Sequence, residues 1–171
     1  VPVRGYISCA LDCPYEGPIA PEAVADVAAR LFDLGCSEIA VSDTIGTGTP
    51  ERTARAFEAA LHPVPAEALA GHFHDTKGRA LENVAAALTL GIRVFDGAVG
   101  GLGGCPFAPG ATGNINTEDA AFLLESMGFS TGIDIKALIE LRRDVEGWLG
   151  DERYSGAIAR AGLPRNFHYA T

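Results

Sequence analysis

Basic residues and long apolar runs are both scarce in this sequence. It has 13 lysine and arginine residues against 22 aspartate and glutamate residues, a formal net charge of −9. Because binding to nucleic-acid phosphates requires clustered Lys and Arg, this balance argues against a nucleic-acid partner. No apolar run reaches the roughly 18 residues that cross a bilayer, and residues 1–6 lack the pattern of a signal peptide. We therefore expect a cytoplasmic protein with no membrane partner.

Cysteine is sparse as well. The four cysteines, Cys9, Cys13, Cys36 and Cys105, include no Cys-x-x-Cys pair, so a structural zinc site is not expected. With 171 residues and 47% apolar content, the chain can bury a core without disulfides, which argues against a secreted disulfide scaffold. Reduced thiols and one folded domain over 1–171 are the expected state.

Short β-rich runs alternate with amphipathic segments. Strands are predicted over 3–9, 37–42, 68–74 and 94–99, and helices over 21–34, 50–61 and 78–90. Thr49 is a predicted N-cap of the second helix, and two further helices are predicted from about 117, with Thr117 and Asp134 as N-caps. Strands separated by single helices imply parallel pairing through right-handed crossovers.

The polar residues distinguish between two architectures, a doubly wound open sheet and part of a β/α barrel. Asp43, His72, His74 and the loop over 100–114 all lie at or beyond the end of a predicted strand. In β/α barrels, functional side chains follow many of the strands. In open sheets the site lies instead at one switch point, where the strand order reverses. Four β/α units are half a barrel. The predicted fold is therefore α/β, half of a TIM (β/α)8 barrel of four parallel β/α units plus C-terminal helices.

His72 and His74 are two residues apart on a predicted strand. Side chains alternate between the faces of a strand, so both imidazoles should lie on the same face. At the open end of a barrel strand they would form half of a metal site. The alternative is that they are ordinary polar residues that bind no metal. Asp75 should face the other way and orient a neighbour or cap the next turn.

The loop over 100–114 is rich in glycine and contains Cys105. Glycine gives the backbone wide conformational freedom, so the loop could close over a ligand and open again. A cysteine beside glycines indicates an accessible, reactive thiol, and the alternative is a turn-rich linker with an incidental cysteine. Pro106 breaks the GxGxxG pattern and no Walker lysine is present, so nucleotide binding is poorly supported.

Several motifs together resemble the hydroxymethylglutaryl-CoA lyases, and they cover nearly the whole chain in the same order as in that family. The segments are YISCAL (6–11), CPYEG (13–17), SDTIG (42–46), HFHDT (72–76) and AVGGLGGCPFA (98–108). The resemblance implies strands five to eight, the C-terminal half of the barrel. It also implies divalent-metal-dependent cleavage of hydroxymethylglutaryl-CoA, an acyl-CoA substrate, to acetyl-CoA and acetoacetate.

The same resemblance implies residue roles. His72, His74 and Asn114 match the family's ligands for a divalent cation, Mg²⁺ or Mn²⁺. Cys105 matches the catalytic cysteine and Asp43 an active-site carboxylate, and His72 is a candidate for proton transfer as well as a ligand. Lys77 and Arg79, just beyond the histidine strand, are candidate contacts to the CoA phosphates, or else solvated charges.

The chain departs from the family in one respect. The family's Asp-Arg-Glu motif, which lies on the first strand and supplies an Arg and a metal-binding Asp, is absent. Two imidazoles and an amide lack the anionic oxygen that Mg²⁺ prefers. Two alternatives therefore stay open: a catalytically silent half-barrel that needs its N-terminal half, and a related aldolase or acyl-CoA synthase. The Gly-Gly-Cys-Pro sequence argues against the second.

A half-barrel has two open edges, here the predicted strands 3–9 and 94–99. Unpaired edges and an apolar inner face would both be exposed. We therefore expect a homodimer, or a chain completed by the missing N-terminal half-barrel.

Overall fold

The computed structural model describes residues 1–104 and 113–171. In chain order the elements are β1 (Arg4–Ile7), β2 (Asp12–Cys13), β3 (Gly17–Pro18), α1 (Pro21–Asp33), β4 (Glu38–Asp43), α2 (Pro50–Ala60), β5 (Leu69–Phe73), α3 (Ala80–Thr89), β6 (Val94–Asp96), α4 (Thr117–Ser126), α5 (Ile135–Leu149) and α6 (Ala157–Ala161). Short 3-10 turns cover Ala66–Ala68 and Val99–Gly101.

The main sheet contains four strands in the order β1-β4-β5-β6. All three pairings are parallel, and each neighbouring pair is connected through one helix, α1, α2 or α3. The predicted α/β class with four parallel strands is confirmed. A small antiparallel hairpin, β2–β3, was not predicted, because strands of two residues leave no periodic pattern in the sequence.

One face of the sheet packs on the helices. Ile39, Leu69 and Phe73 are fully buried there, and the rings of Phe73 and Phe57 of α2 meet edge to face with centroids 6.3 Å apart. Aromatic pairs favour this geometry, and burial of each large apolar side chain contributes about 1.5–3 kcal/mol. The core therefore lies between the sheet and α1–α3.

The opposite face, which we call the histidine face, carries Arg4, Tyr6, Glu38, His72 and Asp96. Strand register places them together, because Arg4 is aligned with Glu38 and His72 with Asp96. The expectation of an apolar inner face is wrong for this part of the sheet. Its two carboxylates share one cation, because Arg4 lies within ion-pair distance of both Glu38 and Asp96.

Element boundaries agree closely with the prediction, with a few differences. Thr49 and Asp134 cap α2 and α5 as expected, but Asn116 rather than Thr117 caps α4, since its Oδ1 accepts from Asp119 N at 3.0 Å. The last strand ends at Asp96, not 99, because a 3-10 turn with Gly100 at φ +64° follows. Across the described residues, no helix combines the length and apolarity that a bilayer-spanning segment needs.

Candidate active site

The two histidines lie side by side at the carboxyl end of β5. His72 is within the strand and His74 follows it directly, and their ring centroids are 5.4 Å apart with the planes tilted by 48°. The intervening Phe73 points into the helix-side core, as strand alternation requires. His74 is buried, and the side chain of His72 is 24% exposed. The structure therefore brings this predicted pair together.

Asn114 comes back to the same place from the far side of the glycine-rich loop. It forms an antiparallel bridge with His74, held by hydrogen bonds from Asp75 N to Gly113 O (3.0 Å) and from Ile115 N to Phe73 O (2.9 Å). Its Nδ2 donates to the carbonyl of Leu102 at 2.8 Å. With the amide nitrogen engaged in this way, Oδ1 is the atom available to a ligand.

A polar cluster that the sequence analysis missed surrounds His72. Its Nδ1 lies 3.0 Å from Asp96 Oδ2, and Asp96 Oδ1 accepts from Arg4 Nη1 at 2.7 Å. Tyr6 donates its hydroxyl to Asp96 Oδ2 at 3.3 Å and presents its ring edge-on to His72. The available signal was a carboxylate on the predicted strand that follows the histidine strand, and the structure adds the register that aligns Asp96 with His72.

The local environment sets the charge of these groups. Burial raises the pKa of Asp96, but hydrogen bonds from His72 and Arg4, together with the positive charge of Arg4, outweigh it and hold that pKa below its usual range. The pKa of His74 is lowered, mainly by burial and secondarily by the neighbouring His72. A lowered pKa keeps the His74 imidazole neutral and its lone pair available.

The donor set is suited to part of a divalent-cation site. His74 Nδ1 is buried and has no hydrogen-bond partner within residues 1–104 and 113–171, which is costly unless a ligand satisfies it. Two neutral imidazoles and one amide oxygen can share a cation, but the set has no anionic oxygen. Over the same described residues, no cluster of three His, Cys, Asp or Glu side chains could hold a metal alone. A carboxylate from elsewhere would complete the site.

Asp43 does not join the imidazoles. It is aligned with Phe73, so its side chain lies on the helix side, and its two carboxylate oxygens accept from Thr47 N (3.2 Å) and Gly48 N (2.9 Å). Burial raises the pKa of this carboxyl although the backbone donors lower it in part. What the structure shows for Asp43 is that it anchors the loop before α2; its catalytic role stays a prediction.

The remaining predicted residues are placed as follows. Lys77 and Arg79 are exposed in the turn between β5 and α3, at the carboxyl edge of the sheet. Asp75 caps that turn by accepting from Ala80 N at 2.9 Å, as predicted. Cys105 lies outside the described residues. A cavity of about 510 Å³ adjoins Gly101–Gly104 on one side and Asp151–Ser155 on the other.

Comparisons with known proteins agree with this picture. The family model described as HMGL-like matches residues 4–145. Hydroxymethylglutaryl-CoA lyase of Pseudomonas mevalonii is 53% identical over 161 residues, 94% of this chain and 52% of that protein. The crystal structure of hydroxymethylglutaryl-CoA lyase from Pseudomonas aeruginosa superposes with a TM-score of 0.90 at 50% identity, covering 94% of this chain and 53% of that one.

A third match includes a ligand. An HMG-CoA lyase from Acinetobacter baumannii, solved with coenzyme A and 3-methylmalate, has a TM-score of 0.88 at 40% identity and covers 98% of this chain and 55% of that one. The present chain spans about half the length of each of these three relatives.

Proposed function

The chain belongs to the HMGL-like family, and we propose that it is the metal-binding, cysteine-loop half of a hydroxymethylglutaryl-CoA lyase. The observation that carries this proposal is the meeting of His72, His74 and Asn114 at the carboxyl end of the sheet. The proposed reaction cleaves 3-hydroxy-3-methylglutaryl-CoA to acetyl-CoA and acetoacetate. The proposed compartment is the cytoplasm.

The proposed architecture is the C-terminal half of a (β/α)8 barrel, one partial domain with strands five to eight. Along a flat sheet, β1 and β6 would be three strand spacings, or roughly 14 Å, apart. Arg4 and Tyr6 of β1 nevertheless both reach Asp96 of β6. Such contacts support a sheet that curves towards the histidine face, which is how strands curve inside a barrel.

The open edge of β6 supports the same view. A cavity of about 530 Å³ lies beside this strand, bordered by Val94–Asp96 on one side and by Ala120, Ala121 and Leu124 of α4 on the other. In a full barrel the next strand and its helix would occupy this position. The other half would also bring the carboxylate that the donor set lacks.

The proposed cation, Mg²⁺ or Mn²⁺, would be held by His72, His74 and Asn114 and would lower the pKa of the substrate's tertiary hydroxyl. A general base takes the hydroxyl proton, the C3 carbonyl of acetoacetate forms, and the bond between C2 and C3 breaks, so that its electron pair moves into the thioester to give the acetyl-CoA enolate. The enolate carbon then takes up a proton, so no oxidant or reductant is needed. Cys105 is the proposed donor of that proton, and Asp43 fixes the loop behind the site.

The acyl-CoA itself is a proposed ligand. Lys77 and Arg79 are exposed at the carboxyl edge, where their charges can meet phosphates. No specific observation favours an aldolase or acyl-CoA synthase over the lyase, since the relatives at about 50% identity are named as lyases.

The test is acetoacetate formation from hydroxymethylglutaryl-CoA with Mg²⁺, by the chain alone and mixed with the N-terminal half of a relative. We expect turnover from the mixture and little from the chain alone. Cys105→Ala in the mixture should abolish most of the turnover, while Cys36→Ala, a cysteine packed between α1 and β1, should not. A stable complex of the two halves without cleavage would instead indicate the silent half-barrel.

A further inference from the structure

Asp96 lies where strand register brings a carboxylate to a proposed metal ligand. It is aligned with His72 on the neighbouring strand, and aligned residues of parallel strands share a face. The contact from Asp96 Oδ2 to His72 Nδ1 is 3.0 Å. A carboxylate can only accept, so this contact requires the proton of a neutral His72 to be on Nδ1.

The Asp96 carboxylate is itself fixed in orientation. Oδ1 accepts from Arg4 Nη1 at 2.7 Å, while Oδ2 faces both Tyr6 and His72. Arg4 is restrained in turn, because its Nε lies 2.8 Å from Glu38 Oε1 and its guanidinium lies over the ring of Tyr6 at 5.1 Å. Rotating the carboxylate would break at least two of these contacts.

We propose that Asp96, held by Arg4 and Tyr6, is the positioning residue for His72: it fixes the Nδ1–H tautomer and leaves Nε2 as the atom that would hold the cation. The inference rests on the proposed function for the identity of that ligand. Carboxylates that accept from the second nitrogen of a metal-binding histidine orient the ring and increase its basicity.

The arrangement also separates two roles assigned to His72. With Nδ1 donating to Asp96 and Nε2 on a cation, neither ring nitrogen has a free lone pair. While it serves as a ligand, His72 therefore cannot accept the substrate's proton, and another group must do so.

Asp96→Asn tests the assignment. Arg4 can only donate, so the amide oxygen of the variant should remain the acceptor for Arg4. The NH₂ group should then face Tyr6 and His72, the two residues that contact Oδ2 in the unmodified protein. Tyr6 can accept from that NH₂, but His72 can do so only if Nδ1 is unprotonated. The proton should therefore move to Nε2, which blocks the cation.

Two measurements test this. The ¹⁵N chemical shifts of the His72 ring in the metal-free whole protein report which nitrogen carries the proton, and EPR measures the Mn²⁺ affinity. We expect Nδ1–H in the unmodified protein, Nε2–H in Asp96→Asn and Mn²⁺ binding weakened by about 10–100-fold. Tyr6→Phe keeps the carboxylate, and Asp12→Asn makes the same change at another aspartate–arginine pair. Both should keep the Nδ1–H tautomer.

Two results would overturn the assignment. One is the Nε2–H tautomer of His72 in the unmodified protein, a result that does not depend on whether any variant folds. The other is an Asp96→Asn protein with both tautomer and Mn²⁺ affinity unchanged. A tautomer shift in a protein that never cleaves hydroxymethylglutaryl-CoA would instead count against the proposed function and leave the positioning role standing.

Discussion

In the part of the chain that the structure describes, arginine–aspartate pairs occur at two separate places, and they serve different purposes. Arg4 and Asp96 face His72, whereas Arg52 and Asp12 tie the segment after β1 to the first turn of α2. Arg52 donates Nη1 to Asp12 Oδ2 at 2.6 Å and Nη2 to Asp12 Oδ1 at 2.8 Å, and it also contacts the Leu11 carbonyl. Thr47 adds a hydroxyl donor at 2.7 Å. The second pair is therefore a structural tie.

The Asp12 pair gives a pH-dependent prediction. The hydrogen bond from Arg52 lowers the pKa of Asp12, although burial acts in the opposite direction. A lowered carboxyl pKa stabilises the fold above the unfolded pKa of about 3.9, and this contribution disappears as pH falls through the lower folded value. Asp12→Asn should reduce the free energy of unfolding by about 1–3 kcal/mol at pH 7. The difference from the unmodified chain should vanish below the folded pKa.

Urea unfolding at several pH values measures this, with Glu51→Gln as the matched control. Glu51 pairs with Arg55 at 2.6 Å, but both side chains are mostly exposed, so its loss should change stability little at any pH. Equal losses at pH 7 and at low pH for Asp12→Asn would show that the ion pair is not the cause.

Sequence reasoning at the residue scale succeeded where partners are close in the chain. His72 and His74 are two apart, so strand periodicity alone predicted their shared face. Arg4 and Asp96 are 92 positions apart, and their contact depends on sheet curvature, which no local pattern encodes. The engagement of Asp43 by Thr47 and Gly48 likewise depends on loop geometry that a motif match does not carry.

At the scale of elements, the long periodic segments were predictable and the short ones were not. Helices α1–α5 and the four parallel strands follow from apolar periodicity and capping residues. The β2–β3 hairpin and the five-residue α6 were missed, because neither is long enough for a pattern. The segment that returns from the loop to the sheet at Gly113 also escaped prediction, although it positions Asn114.

Gly113→Ala tests that return segment. Gly113 has φ +103°, and a Cβ there would overlap the carbonyl oxygen of Gly101. The variant should lose stability and, by displacing Asn114, also Mn²⁺ affinity. Gly128→Ala is the control, because it has φ +87° but no atom within 4 Å of the added Cβ. Left-handed backbone alone costs about 1–2 kcal/mol, so Gly113→Ala should lose clearly more.

Urea unfolding and Mn²⁺ EPR on both variants check this. Equal stability losses, or an unchanged Mn²⁺ affinity in Gly113→Ala, would mean that the close approach to Gly101 does not hold Asn114.

On the scale of the whole molecule, the two outer strands determine how the chain associates. β1 and β6 are the edges of the main sheet, and Val3, Tyr6 and Val94 are exposed along them. Unpaired edges of this kind attract further strands unless they are covered. We expect both edges to be covered in the working protein, by a second copy of the chain or by an N-terminal half-barrel.

Sedimentation of the purified chain, with amide exchange at β1 and β6, measures this. A dimer or larger species with slow exchange at both edges, or a one-to-one complex with an added half, is expected. A stable monomer whose edge amides exchange slowly would contradict the half-barrel proposal.

The cluster around Asp96 has a consequence for how such a protein can be divided. Its members come from all four parallel strands, with Arg4 and Tyr6 on β1, Glu38 on β4, His72 on β5 and Asp96 on β6. A cut anywhere between β1 and β6 would put the histidine and its supporting residues on different fragments. The four strands therefore form the smallest unit that a gene duplication, fusion or split could transfer with the histidine still correctly held.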